Sequence, residues 1–132
     1  MTFLLDTHVW IWWAAKPERL SYSSLDVLQS NGPHHRLLLS TISIWEFCKL
    51  VEKKRLMITC SPGEWITEAL CMPGLETVPI TPETACESIS LPDCPVTDPA
   101  DQIIAATART TGAALLTADS RLLNYPYLRT IW

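Results

Sequence analysis

Apolar side chains occur in short runs whose period changes along the chain. Phe3-Leu4-Leu5 is continuous and ends on Asp6, which predicts a buried strand over residues 2–6. Residues 7–15 follow with helical character, and Pro17 stops them. Ser21 or Ser23 can cap a second helix to about Ser30, closed by Asn31-Gly32-Pro33. Arg36-Leu37-Leu38-Leu39-Ser40 predicts a second buried strand. Ser43 can cap a helix through Trp45, Glu46, Phe47, Leu50 and Val51, ending in Lys53-Lys54-Arg55. Ser61-Pro62-Gly63-Glu64 is a capping box with proline at the first helical position, opening a helix to about Leu70. Residues 75–80 predict a third strand, and Pro79 suits an edge better than the centre. Thr81-Pro82-Glu83 starts another short helix, and residues 91–97, with Pro92 and Pro95, form a loop. Residues 99–110 are strongly helical, with Gly112 as the stop. A fourth strand over residues 113–117 and a last one near 127–131 complete the pattern.

Strands that alternate with helices and read as continuous apolar runs predict an α/β fold. Its central sheet is mostly parallel, with helices packed on both faces as a three-layer α/β/α sandwich. The 132 residues fit one domain, 1–132, and 48% apolar against 18% charged residues supply a real core. No apolar stretch approaches the roughly 20 residues of a membrane-spanning helix. The N-terminus lacks a basic segment and carries Asp6 where a signal peptide needs apolar side chains, so a cytoplasmic protein is expected. Five cysteines, none paired as C-x-x-C, suggest neither a disulfide framework nor a zinc site. The histidines are too scattered for a metal site, and His34 and His35 read as a loop pair. A net charge of -4 weighs mildly against a polyanionic substrate, although an acidic catalytic cluster would itself account for much of it.

In an open parallel sheet, ligands bind beyond the carboxyl ends of the strands, where strand order reverses. Asp6 follows the first strand, Glu46 lies early on the helix after the second, and Asp119 follows the fourth. The helix feeding that fourth strand opens with Asp98-Pro99-Ala100-Asp101. Each acid alone has an ordinary structural explanation. Asp98 can be a helix cap, Asp101 a first-turn acid, Asp119 a turn residue, and Glu46 a partner for Lys49. Asp6 at a sheet end needs partners or a cation. Together, acids from four segments would either take up protons or hold a hard cation through oxygen ligands. Mg²⁺ or Mn²⁺ suits such donors, and one or two such ions suit hydrolysis of a phosphodiester.

The segments Leu4-Leu5-Asp6-Thr7-His8-Val9, Ser43-Ile44-Trp45-Glu46, Asp98-Pro99-Ala100-Asp101-Gln102-Ile103-Ile104 and Leu116-Thr117-Ala118-Asp119 resemble, in order, the four acidic motifs of PIN domains. More narrowly, the chain resembles VapC-type toxins of bacterial type II toxin–antitoxin systems over its full length. This resemblance implies a PIN-like fold with Asp6, Glu46, Asp101 and Asp119 as the catalytic centre. Asp6, Asp101 and Asp119 would be metal ligands, and Glu46 would hold or orient water. Asp98, Thr117 and Thr7 would support the site. It further implies a Mg²⁺- or Mn²⁺-dependent endoribonuclease, a homodimer, neutralised by a VapB-like antitoxin. Transfer RNA is the substrate the family suggests. Related sequences often carry arginine where this chain has Gln102, which affects a substrate or antitoxin contact rather than the metal site.

Lys49 and Lys53 share a helical face with Glu46 and, with Lys54 and Arg55, could guide RNA phosphates; a solvated helix end is the ordinary alternative. Arg121 and Arg109, near the acids in sequence, are further RNA-binding candidates. Trp10 and Trp13 share one side of a helix while Trp12 points elsewhere, so the group serves either core and dimer contact or antitoxin docking. His8 is expected to pack or cap. Two rivals stand beside the nuclease. One is another metal-dependent phosphohydrolase, although His8 occupies the position where aspartyl-phosphate enzymes want a second Asp. The other is a non-catalytic binding module whose acids cap helices.

Overall fold

The computed structural model describes residues 1–132. Five strands form one sheet in the order β3-β2-β1-β4-β5: β1 (Thr2–Leu5), β2 (Arg36–Ser40), β3 (Leu75–Val78), β4 (Ala114–Leu116) and β5 (Thr130–Ile131). Every pairing is parallel, so the expected mostly parallel sheet is wholly so. The helices are α1 (Thr7–Ala15), α2 (Tyr22–Gln29), α3 (Thr41–Glu52), α4 (Pro62–Ala69), α5 (Pro82–Ser88), α6 (Pro99–Thr111) and α7 (Ser120–Leu123), with a single 3-10 turn at Pro17–Arg19.

Strand periodicity sorts the core into two layers. Phe3, Leu5, Leu37, Leu39, Ala114 and Leu116 face one side and meet Val9, Trp10 and Ile11 of α1, Leu28 of α2, Phe47 of α3 and Ala69 of α4. Leu4, Leu38 and Leu115 face the other and meet Ile104, Ala105 and Ala108 of α6, and Leu122 of α7. Leu4, Leu5, Leu39, Leu115 and Leu116 are fully buried. Burial on that scale stabilises the fold by about 1.5–3 kcal/mol per leucine. The central strands can be continuous apolar runs because both faces are covered.

Connections are short where the site lies. Asp6 caps α1 directly after β1, and its backbone N–H extends the ladder to the Leu116 carbonyl (3.0 Å). α3 begins without a loop after β2. Its cap is Ser40, whose hydroxyl accepts from the Ile42 amide (3.3 Å), and Ser43 is buried inside the first turn rather than capping it. Ser61, Thr81 and Asp98 cap α4, α5 and α6, each with proline at the start of the helix. Gly112, at φ 68°, ends α6 in the left-handed conformation glycine adopts without strain. β3 lies at an edge, and Pro79 falls just past its end. Sheet order reverses at β1, so the carboxyl ends of β1 and β4 flank the crevice where such sheets bind ligands.

Candidate metal centre

Asp6 lies at that crevice, with only 4% of its surface exposed. One carboxylate oxygen accepts from the Thr7 amide (2.8 Å) and the other from the Thr117 hydroxyl (2.7 Å). Thr117 Oγ1 also accepts from the Asp119 amide (3.0 Å), so one buried hydroxyl ties the acid after β1 to the turn after β4. Glu46 projects from α3, and the Thr7 hydroxyl donates to its Oε1 (2.5 Å), with Ser43 Oγ 2.8 Å from the same hydroxyl. Thr7 thus links the first and second acidic motifs.

Asp98 and Asp101 come from the start of α6. Asp98 accepts from the Ala100 amide (2.8 Å) as the cap, and Asp101 stands in the first turn. One carboxylate oxygen each from Glu46, Asp98 and Asp101 lies within 4.8 Å of the other two. Burial pushes the Asp101 carboxyl up to about 7, and the charges of Asp6, Glu46, Asp98 and Asp119 reinforce it. Burial also raises Glu46, opposed by the Thr7 hydrogen bond and reinforced by Asp6 and Asp98. Asp6, Glu46, Asp98 and Asp119 thus lie close enough to Asp101 to act on its charge.

Asp119 is held differently. Arg121 grips its carboxylate with two guanidinium nitrogens (3.1 and 2.7 Å) and reaches Asp101 Oδ2 at 3.7 Å. This pairing holds Asp119 below the usual carboxylate range. Arg121 is thus turned toward the acids and spans two of them.

The donor set fits a hard divalent cation. It offers carboxylate oxygens from separate elements with no thiol or imidazole in the cluster, and their repulsion is relieved by either a proton or a cation.

Other candidates fall in varied places. Lys49 pairs with Glu52 (3.0 Å) and not with Glu46. Lys53 shares a cavity of about 350 Å³ with Glu46 and Asp98. Arg109 stands in the last turn of α6, bonded to Glu87 (2.6 Å) and the Tyr127 carbonyl (2.6 Å), away from the acids at the helix start. The Gln102 amide donates to the Val96 carbonyl (3.0 Å), pinning the loop before α6. Trp10 is fully buried, its indole N–H on the Ala69 carbonyl (3.1 Å), and Trp12 and Trp13 pack half-buried against the same core. Arg19 covers Trp12 at 4.3 Å, so the three tryptophans form no exposed patch.

His8 is closer to the centre than its sequence position indicates. Nε2 accepts from the Ala118 amide (2.9 Å), which puts the neutral ring's proton on Nδ1, 3.7 Å from Asp6 Oδ2. Its ring rests on Trp12 and Trp132. The only sequence signal was proximity to Asp6, since the partner Ala118 is remote in the chain.

The family model described as PIN domain matches residues 3–127. The chain is 35% identical over 133 residues to Ribonuclease VapC22 of Mycobacterium tuberculosis, covering 99% of this chain and 98% of that protein. Among solved structures, the VapBC2 complex of Rickettsia felis bound to a promoter DNA fragment superposes with a TM-score of 0.73 at 17% identity, over 99% of this chain and 98% of that one. The DNA-bound VapBC of Salmonella typhimurium gives 0.67 at 20% identity, over 99% and 97%. These two likenesses establish the fold.

Proposed function

The chain belongs to the PIN domain family, and on that premise we propose that it is a divalent-metal-dependent endoribonuclease, the toxin of a type II toxin–antitoxin pair. The observation that carries this reading is the meeting of Glu46, Asp98 and Asp101 within 4.8 Å, with Asp6 and Asp119 close enough to shift Asp101. A relative 35% identical over nearly the whole chain is named a ribonuclease.

Asp6, Asp101 and Asp119 would hold Mg²⁺ or Mn²⁺, with Glu46 beside them. When bound, such an ion supplies neutralisation of phosphate charge and activation of water for in-line attack. The chain's own residues set the geometry. Thr117 fixes the Asp6 carboxylate, and Thr7 fixes Glu46, leaving its second oxygen free to orient water. Asp101, pushed up to about 7 by burial first and by the neighbouring acids second, would have to give up its proton to serve as a ligand. Asp98 contributes negative charge while capping α6.

Solved structures of the same fold are named as a toxin–antitoxin complex and as a member of the VapBC family of toxin–antitoxin systems, which supports a VapB-like antitoxin as partner. A homodimer and a transfer RNA substrate belong to the same reading. No helix is long and apolar enough to cross a membrane. Five free cysteines, four of them exposed, fit a reducing compartment such as the cytoplasm.

Purified, antitoxin-free protein incubated with total RNA should cut it in Mg²⁺ or Mn²⁺ and not in EDTA. Mapping the fragments then names the target. Cleavage that persists in EDTA, or none in either metal, would reject the proposal.

A further inference from the structure

Five of the six tryptophans pack into or against one apolar cluster: Trp10, Trp12, Trp13, Trp65 and Trp132. Trp45 does not. It lies on α3 beside Glu46 with 54% of its surface exposed. Trp45 and Lys49 stand one turn apart on α3 and Lys53 follows four residues later as the helix C-cap, with Lys49 Nζ 5.7 Å from the Trp45 ring centroid.

These three residues line the cavity of about 350 Å³ noted above. Asp98, Pro99 and Ala100 at the start of α6 line it from a second element, and Arg55 also contributes. Three of the chain's ten basic residues, Lys49, Lys53 and Arg55, therefore meet in a cavity that carries two of the metal-centre acids. The side chains of Lys53 and Arg55 make no ion pair.

We propose that this cavity is a subsite for an unpaired nucleotide of single-stranded RNA, with one base stacked on the Trp45 indole and the adjoining backbone phosphates on Lys53 and Arg55. The proposal rests on the ribonuclease reading and adds to it a base-stacking residue and two phosphate contacts. An exposed indole offers a π-face to any base, and stacking on it requires that the base has left its own helix. Unpaired cations answer the phosphates. Glu46 and Asp98, which line the same cavity, put the metal centre beside this subsite. The negative net charge is no obstacle, because Lys53 and Arg55 stand free of ion pairs on the cavity wall.

The test uses full-length protein carrying Asp101→Asn, so that RNA remains intact, with Mg²⁺ present. Fluorescence anisotropy measures affinity for a 12-nucleotide single-stranded RNA of mixed sequence and for the same strand annealed to its complement. The parent should prefer the single strand. Trp45→Ala should weaken single-strand binding roughly 5- to 150-fold, the range for one stacked base, and abolish the preference over duplex. Trp45→Phe, which keeps a ring, should restore most of it. Lys53→Ala should leave the preference in place and lower the slope of log K against log salt by about 0.7, the value for one phosphate contact with a single strand. Circular dichroism confirms that each variant is folded. A Trp45→Ala protein that keeps its single-strand preference would overturn the proposal and point to a polypeptide occupant for this face. Binding needs no cleavage, so failure here is distinguishable from failure of the wild-type protein to cut RNA.

Discussion

Asp101→Asn should make the metal-free protein more stable while removing its activity. Asp101 is only 20% exposed at the side chain and makes no hydrogen bond that asparagine would lose. Its carboxyl titrates at about 7 against an ordinary 3.8, because of burial first and four neighbouring acids second. At about 1.4 kcal/mol per decade, this corresponds to about 4 kcal/mol against the charged form. Solvent reaches part of the group, so roughly half, about 2 kcal/mol, is the expected magnitude. Asparagine also forfeits a favourable first-turn charge at the start of α6, a loss of about 0.3–1 kcal/mol.

The net gain is therefore about 1–1.5 kcal/mol, or roughly 3–6 °C in Tm for a domain of this size. Its pH dependence has a defined sign. Between 3.8 and about 7 the folded state keeps a proton that the unfolded chain has released. Stability from this group is thus fully present in acid, falls as pH rises, and is lost above about 7. The advantage of Asp101→Asn should be smallest near the acidic limit and complete above about 7. Urea denaturation of both proteins in EDTA across this range measures it. Mg²⁺ at 100 times its Kd should add about 2.7 kcal/mol to the parent and little to the variant. A variant less stable than the parent at alkaline pH, or an advantage independent of pH, would refute the reasoning.

Asp6→Asn should abolish RNA cleavage and leave the circular dichroism spectrum unchanged, since asparagine can still accept from the Thr7 amide; an active Asp6→Asn protein would contradict the role given to this acid. Thr117→Val should lower stability by about 1–3 kcal/mol, because it strips the buried Asp6 carboxylate of a donor. It should also reduce activity or metal affinity by about 10- to 100-fold, read by denaturation and metal-titrated cleavage. Arg121→Ala should tighten Mn²⁺ binding a few-fold in calorimetry, since the guanidinium that spans Asp119 and Asp101 would no longer compete; weaker binding would show that Arg121 instead builds the site.

Much of this arrangement was legible locally. Continuous runs such as Leu37-Leu38-Leu39 announce strands covered on both faces, and alternation with helices makes the sheet parallel. A parallel sheet then delivers the residues after β1 and β4 to one crevice, so Asp6 and Asp119 followed from position alone. The converging acids pointed to a divalent metal and phosphodiester hydrolysis, whereas family resemblance singled out Thr117 and RNA as the substrate. What stayed hidden depends on partners remote in sequence. His8 engages Ala118, and Arg121 turns toward Asp101 as well as its neighbour Asp119. The start of α3 was misplaced because both Ser40 and Ser43 have capping chemistry, and only the tight β2–α3 junction selects Ser40. Trp45 read as one more apolar residue of an amphipathic helix. Its exposure depends on α3 leaving that face uncovered, beside the start of α6.

Diffraction at the manganese absorption edge from crystals of the wild-type protein grown with Mn²⁺ tests the central claim most directly. An anomalous peak in direct contact with Asp101 and a second acid of the group Asp6, Glu46, Asp98 and Asp119, absent from Asp101→Asn crystals, is the predicted result. Fully occupied Mn²⁺ elsewhere on the molecule with none among these carboxylates would contradict it.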